Sequence, residues 1–257
     1  MNIANLKKVT VAPKEKIAKP LNGKSRTFKK IILSSEIVYF AAIILLSLAV
    51  SLLTAANFGI SMIVAPAYLF SLKSGFLTFG QAEYIIQAGL FVIFCLVMKK
   101  FKPVYLSSFI TCLIYGAILD LWRCIPLFNP KVTAPGSMGL PLRIAMFIIG
   151  MLLTSFSVSL FYKTYLYPQV YDFFVKGVTE KYNLKLSVLK TCFDLFCLAA
   201  STVMSFVFFK KFVGIYWGTL VMTVFNGTLI GFFGNLTSRV FNIKPAFKNF
   251  ALKFNIK

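Results

Sequence analysis

Long apolar runs, separated by short polar or basic stretches, divide the chain into segments of membrane-spanning length. Residues 37–56 are twenty positions whose only polar side-chain atoms are Ser, Thr and Tyr hydroxyls. A helix of that length crosses a hydrocarbon core of about 30 Å. Just before it, Ser34, Ser35 and Glu36 predict the helix start, because hydroxyls cap free amides and an acid suits the positive end of the helix dipole.

The remaining apolar runs fall into two length classes. Two of them, 59–72 with Pro66 and 165–177 with Pro168, offer about twelve helical residues, which reach only about 18 Å. We predict that each is a broken or re-entrant helix whose irregular backbone is buried in protein. The longer runs predict five more transmembrane helices, at 80–98, 104–122, 144–162, 191–209 and 213–233. This gives six full spans, or eight if the short segments also cross.

A set of landmarks occurs twice in the chain. The first copy carries Glu83, Lys-Lys-Phe at 99–101, Tyr105 and Gly116, and 111 positions later the chain has Asp194, Lys-Lys-Phe at 210–212, Tyr216 and Gly227. Pro66 and Gly75 are matched by Pro168 and Gly177, so the second copy has nine extra residues, roughly 178–186. This repeat predicts an all-α integral membrane fold of two homologous halves, each with three transmembrane helices and a short broken helix. Three spans per half would invert the second half, as in many secondary transporters.

The same pattern predicts the domain boundaries. A basic cytosolic tail covers 1–33, the first membrane repeat 34–128, an inter-repeat loop 129–143, the second repeat 144–235 and a second basic cytosolic tail 236–257. With six or with eight spans, the predicted cytosolic segments hold 22 of the 28 basic residues. The positive-inside rule therefore places both termini in the cytosol. The basic tails would also attract anionic lipid, at about 1 kcal/mol per basic residue near the surface.

Composition narrows the class of protein further. The chain is 58% hydrophobic with only seven acids, which leaves too little polar surface for a soluble domain. Its net charge of +21 lies mostly between apolar runs, so we expect no nucleic-acid partner. Histidine is absent, and the five cysteines lie in or beside the apolar runs without a CxxC motif. We expect no metal, no cofactor and no enzyme activity, because none of the usual catalytic signatures is present.

Three acids lie within predicted transmembrane helices: Glu83, Asp120 and Asp194. An ionised side chain at mid-bilayer costs about 2.5–3.5 kcal/mol on insertion scales, so such residues usually face a cavity or a partner. The matched positions of Glu83 and Asp194 make them candidates to face each other and bind a cation or proton. Local explanations are also open, because Glu83 is one turn into its helix, Lys190 precedes Asp194 by four residues and Arg123 follows Asp120 by three.

Small residues and prolines mark the other candidate positions. Asn226 precedes Gly227, which forms a GxxxG pair with Gly231. This pattern predicts close helix packing or, alternatively, a ligand site at Asn226. Pro66 and Pro168 either open backbone carbonyls to a substrate, as broken helices do, or only kink the chain.

Several short motifs also occur in a characteristic order. They are Gly-Ile-Ser at 59–61, Pro-Ala-Tyr-Leu-Phe-Ser at 66–71, Thr-Phe-Gly at 78–80, Lys-Lys-Phe-Lys-Pro at 99–103, Gly116 with Ile-Leu-Asp at 118–120, Pro168, Lys190 with Phe-Asp at 193–194, Val-Gly-Ile at 213–215 and Gly-Thr at 218–219. With them, residues 46–233 resemble the YczE/YyaS/YitT-like family of bacterial multi-pass membrane proteins. The resemblance implies a protein of the bacterial cytoplasmic membrane. The chain departs from the family at Tyr216 and Trp217, where members often carry a charged pair. It also lacks the acid that the resemblance leads us to expect two residues after Pro168, and Asp172 lies four residues after that proline instead.

These observations lead to one main hypothesis and one alternative. The protein is expected to be a transporter or permease for an unknown small-molecule or ion substrate, ion-coupled through the paired acids Glu83 and Asp194. The alternative is a non-catalytic membrane scaffold or accessory protein that acts with a protein partner or as a homo-oligomer.

Overall fold

The computed structural model describes residues 31–99, 101–129, 131–134, 136–184, 186–252 and 254. Two short strands and nine α-helices occur in this part of the chain: β1 (Ile31–Ser34), α1 (Ser35–Ala56), α2 (Ala65–Ser74), α3 (Phe79–Met98), α4 (Leu106–Trp122), α5 (Leu140–Phe161), α6 (Val170–Tyr182), α7 (Leu186–Phe209), α8 (Trp217–Val240), β2 (Phe241–Lys244) and α9 (Lys248–Ala251). A 3₁₀ turn, Pro103–Tyr105, precedes α4. Six helices, α1, α3, α4, α5, α7 and α8, are long and apolar enough to cross a membrane, which confirms the predicted all-α multi-span class.

The start of α1 follows from its capping residue. The Ser34 hydroxyl accepts a hydrogen bond from the Ile37 amide at 3.3 Å, as the sequence predicts. The helix ends where Asn57 adopts a left-handed conformation. Its middle packs tightly on α5, because a Cβ on Gly150 would approach Leu53 side-chain atoms to 2.8–3.0 Å and the Ala49 carbonyl oxygen to 3.1 Å. The central pair α1 and α5 therefore forms the core of the bundle.

The other helices surround this pair in a regular order of neighbours. Helix α4 packs on α1, and α8 packs on α5. The short helix α2 lies between α3 and α7, and α6 lies between the same two helices. Each half thus places its short helix against a long helix of the other half. The inverted repeat stays a prediction, and this arrangement of neighbours agrees with it.

Each segment that contains a short helix, α2 or α6, enters and leaves the bundle at the same end. Before α2, the Ile60 amide bonds the Gly214 carbonyl at 3.2 Å, and after α2, Thr78 bonds Asp120 at the end of α4. Before α6, the Tyr165 amide bonds Ser35. We call the end with Ser35 the terminal end and the end with Asp120 the distal end.

Near the end of α6, Lys181 donates to the Val97 carbonyl at 2.5 Å, close to the C-terminus of α3 and again at the terminal end. The first re-entrant segment (residues 58–74) therefore enters from the distal end and the second (residues 163–182) from the terminal end. The bundle accordingly has six full spans.

The two described ends of the chain meet at the terminal end. Strands β1 and β2 pair in parallel, with Ile31 opposite Phe241. The Glu36 carboxylate accepts hydrogen bonds from the Ala246 and Phe247 amides at 3.1–3.3 Å. Helix α8 runs five residues past the predicted boundary at 235, and part of the predicted tail 236–257 is thus ordered. Residues 1–30 of the other predicted tail lie outside the described residues.

The predicted boundaries are least accurate in the second half. The short helix was expected at 165–177 but is Val170–Tyr182, and Gly177 lies inside it, where a Cβ would be 2.6 Å from the Phe94 ring. A close helix contact therefore explains this glycine better than a helix end does. The last span was expected to begin at 213 but begins at Trp217, because Gly214 has a φ of +71° and the Val213 amide bonds the Ser205 hydroxyl.

Candidate functional site

A cavity of about 320 Å³ lies between α7, α8 and the first re-entrant segment. Residues 61–63, which we call the first tip, form one wall. The polar side chains around it come from several elements: Ser61, Tyr162, Lys190, Thr191, Asp194, Thr223 and Asn226. Of the residues predicted from sequence, this cavity brings together Asp194, Asn226 and Gly227.

The cavity lies well inside the bundle. Asn226 is nine residues into α8, which corresponds to about 14 Å along the helix axis. The Thr223 hydroxyl approaches the Met62 sulfur at 3.9 Å, so the first tip reaches a similar depth. Ser155 of α5 donates to the Asn226 side-chain oxygen at 2.7 Å and fixes the orientation of that amide.

Charged side chains meet at the edge of this cavity. Lys190 Nζ lies 3.1 Å from Asp172 Oδ1 and 3.5 Å from Asp194 Oδ1, and the Tyr162 hydroxyl bonds Asp172 at 3.3 Å. The three charged side chains are 15–24% exposed. Two acids share one lysine, so this cluster carries a formal charge of −1. The local pairing of Asp194 with Lys190, one of the two explanations open from sequence, is present.

The cavity exists because α7 and α8 stand apart. In the described part of the chain, α3 and α4 form an extensive interface, whereas α7 and α8 form no comparable one. A second gap of about 420 Å³, with Tyr216 and Trp217 in its wall, separates α7 and α8 nearer the distal end. The packing predicted for Gly227 and Gly231 is absent within the chain, since among the described residues nothing lies within 4 Å of a Cβ built on either.

Glu83 has a different environment. Its side chain is fully buried, and Oε2 accepts hydrogen bonds from Gln87 Nε2 at 3.0 Å and from the Tyr171 hydroxyl at 3.1 Å. Gln87 also donates to the Gln169 side-chain oxygen and accepts from the Val170 amide. Residues 169–171, the second tip, are thus fixed to the middle of α3.

The protonated phenol is the donor in this network. The Tyr171 hydroxyl donates to Glu83 Oε2 and so holds this carboxyl from α6.

Glu83 and Asp194 do not contact each other, although their matched positions suggested that they face one another. Both are linked instead to α6, through consecutive residues. Tyr171 bonds Glu83 directly, and Asp172 binds Lys190, which also pairs with Asp194. One short helix thus connects the two acids.

Asp120 and the two prolines lie outside the cavity. Asp120 accepts hydrogen bonds from the Thr78 hydroxyl at 2.5 Å and the Gly80 amide at 2.9 Å, so it caps the start of α3. Arg123, the expected local partner of Asp120, lies over the Phe79 ring instead. Pro66 is in the first turn of α2, and Pro168 comes directly before Gln169, which occupies the N-cap position of α6 without a side-chain capping bond.

Several site residues were not predicted from sequence. From the sequence, Lys190 was considered only as a local partner that neutralises Asp194. Asp172 was considered only as a departure from the family resemblance. Gln87 follows Glu83 by four residues on the same helix, and this helical spacing could have identified it. Nothing in the sequence pattern identifies Tyr171. Among the described residues, no group of three or more His, Cys, Asp and Glu side chains is arranged to hold a metal ion.

Comparison with curated proteins and with solved structures finds no match. The resemblance to the YczE/YyaS/YitT-like family stays a prediction. One family model matches residues 33–235, which contain most of the membrane bundle and both acids. The chain therefore belongs to this family, which is described as a family of unknown function (DUF6198).

Proposed function

We propose that this membrane protein is a transporter that binds a small polar solute in the cavity between α7, α8 and the first tip. The observation that carries the proposal is the charged cluster of Lys190, Asp172 and Asp194 at the edge of a 320 Å³ cavity. Charged side chains at membrane depth usually mark a substrate or ion pathway. Broken helices next to such a cavity are typical of transporter binding sites.

The cavity also limits the chemistry of the substrate. Its volume of about 320 Å³ is at the lower end of small-molecule sites, which favours a solute of few heavy atoms. The charged cluster has an excess of one negative charge, because Asp172 and Asp194 share Lys190. A solute with a positively charged group, such as a small amine or a monovalent cation, complements that charge.

The arrangement of the two re-entrant segments supports alternating access. They enter from opposite ends of the bundle, and α2 and α6 both pack between α3 and α7. The predicted repeat implies two halves of inverted topology, and halves of that kind expose a central site to one side and then the other by rocking. On the resemblance and the charge distribution, we place the protein in the bacterial cytoplasmic membrane with both termini cytosolic.

The proposal is tested by thermal unfolding of the purified protein against a panel of ions, osmolytes, amino acids, amines, nucleobases and lipids. A ligand at about a hundred times its Kd adds about 2.7 kcal/mol to the apparent stability. We expect at least one small cationic compound to stabilise the wild type. Asp194→Asn should lose that shift, because it leaves Asp172 and Lys190 as a neutral pair. Lys190→Met should keep or enlarge it, because it leaves two acids without their shared lysine. Gly231→Ala, on α8 but not among the lining residues, should keep it.

A scaffold or accessory role is the second candidate, and it is favoured because α7 and α8 are the least buried of the six candidate membrane spans. Leu195, Phe196 and Val203 on α7, and Val224 and Phe232 on α8, are all at least half exposed. A protein partner or a second copy of the chain could cover this surface.

Cysteine labelling distinguishes the two candidate functions. Cysteines placed at Thr191 and Asn226, which line the cavity, should react with a polar, membrane-impermeant thiol reagent if the cavity is water-filled. A sealed, unreactive cavity together with an unresponsive ligand panel would support the scaffold.

A further inference from the structure

The buried Glu83 carboxyl is not explained by the cavity at Asp194. Its Oε1 atom has no hydrogen-bond partner among the described residues. In the same part of the chain no lysine or arginine lies within ion-pair distance of it. An ionised carboxylate without a counter-ion is costly in an apolar interior, whereas the protonated acid is not.

Among the described residues, no other carboxyl or cation is in contact with the Glu83 carboxyl. From α4, the Cys112 thiol approaches the Glu83 carbonyl at 3.9 Å, and Tyr115, whose hydroxyl has no hydrogen-bond partner in the same part of the chain, is close enough to interact electrostatically. From α6 the facing group is Tyr171. Helix α2 brings Tyr68 against Phe79, one turn before Glu83. Within the described part of the chain, the charge at this site therefore depends on Glu83 alone.

Two features of the site stabilise the ionised form. Gln87 and Tyr171 both donate to the same Glu83 oxygen, and such hydrogen bonds are stronger to an anion than to a neutral acid. Glu83 also lies beside the first turn of α6, where the helix dipole favours negative charge. Burial opposes both features, because the carboxylate regains its hydration when the second tip withdraws. The docked second tip therefore favours the protonated acid when desolvation outweighs the two hydrogen bonds and the dipole.

We propose that Glu83 is a proton-binding site whose proton keeps the second tip docked against α3. When the carboxyl loses its proton to water, the buried negative charge favours withdrawal of residues 169–171 and entry of water. Because Tyr171 is followed by Asp172, this movement also pulls on Lys190 at the cavity. Proton binding at Glu83 is thereby coupled to the shape of the site at Asp194. Only this last step rests on the proposed transport function.

The proton can be detected with dicyclohexylcarbodiimide, which modifies protonated carboxyls in apolar surroundings. The acid transfers its proton to a carbodiimide nitrogen while a carboxylate oxygen bonds to the central carbon. The O-acylisourea then rearranges to a stable N-acylurea, which peptide mass spectrometry locates. We expect a Glu83 adduct whose yield falls about tenfold per pH unit above its midpoint. Glu83→Gln should abolish it, and Asp194→Asn should not.

A second variant relates the midpoint to the observed geometry. Tyr171→Phe removes one of the two donors to the Glu83 carboxylate, so the midpoint should rise by about one pH unit. A Glu83 that stays unmodified at every pH, or one modified equally at every pH, would overturn the proposal. An unchanged midpoint in Tyr171→Phe would contradict the role of the second tip.

Withdrawal of the second tip has its own native reporter. Cys112 is fully buried beside Glu83, and in a background with the other four cysteines replaced by serine it should react slowly with a thiol reagent. Raising the pH should accelerate this reaction more in the wild type than in Glu83→Gln, whose own pH response corrects for thiol ionisation. Equal acceleration would show that Glu83 does not control the second tip.

The experiments on the Glu83 proton site and the ligand panel for transport can succeed or fail separately. If no ligand stabilises the protein but the Glu83 adduct follows pH, the proton site stands and the transport proposal fails. If a ligand binds at Asp194 while Glu83 shows no proton-dependent modification, the transport proposal stands and the proton site fails.

Discussion

Glu83 and Asp194 hold matching positions in the predicted repeat, yet the structure surrounds them very differently. Glu83 is fully buried, with Gln87 and Tyr171 bonded to it. Asp194 is 22% exposed beside a cavity and shares Lys190 with Asp172. The first site is filled by protein, and the second leaves room for a solute. Matching positions in two halves thus serve different chemistry.

The difference originates in how the flanking helices meet. In the first half Gly80 and Gly116 allow α3 and α4 to approach closely, and Asp120 bonds the Thr78 hydroxyl and the Gly80 amide. The positions 111 residues after Gly80 and Asp120 are Thr191 and Gly231.

The second half therefore lacks both the small residue and the acid that join the first pair of helices. Helices α7 and α8 stay apart, and the cavity lies between them. In the predicted repeat, two sequence differences thus accompany the asymmetry between the sites.

The largest difference between the two sites is expected when Glu83 and Asp194 are each replaced by alanine. We expect Glu83→Ala to lower the free energy of unfolding by about 3 kcal/mol, because it leaves a void and two unpaired buried donors. Asp194→Ala should lower it by about 1 kcal/mol or less, since Asp172 still pairs with Lys190. Thermal and denaturant unfolding in detergent measure both. Equal losses would show that the two sites do not differ in packing.

A matched pair of glycines tests the helix contacts themselves. A Cβ on Gly116 would overlap the Tyr84 ring, whereas nothing lies within 4 Å of a Cβ on Gly227. Gly116→Ala should therefore destabilise the fold by about 2 kcal/mol through overpacking. Gly227→Ala should be neutral or stabilise it by up to about 1 kcal/mol, because alanine is the better helix former. If unfolding measurements showed that Gly227→Ala is more destabilising than Gly116→Ala, the proposed difference in helix packing would be wrong.

The smallest effect is expected from two tyrosines. Tyr171→Phe removes a buried donor to Glu83 and should lower the free energy of unfolding by about 1 kcal/mol. Tyr162→Phe removes a 3.3 Å bond to Asp172 at the cavity, where water can replace the hydroxyl, so the change should stay within about 0.5 kcal/mol. A larger loss from Tyr162→Phe would mean that the cavity is dry.

Features that depend on local length and composition could be predicted from the sequence. Six spans, the helix start at Ser34 and the two short segments follow from run length and capping residues. The Lys190–Asp194 pair follows from helical spacing. These features need no knowledge of distant contacts, because a helix satisfies its backbone within one segment.

The residues that form each site are brought together by contacts between distant parts of the chain. Tyr171 reaches Glu83 across 88 positions, Ser155 reaches Asn226 across 71, and Asp120 caps a helix that starts about 40 residues earlier. Strands β1 and β2 pair across most of the chain. Such contacts depend on how the helices pack, and the spacing of α3 from α4 and of α7 from α8 decides whether an acid is enclosed by protein or faces a cavity.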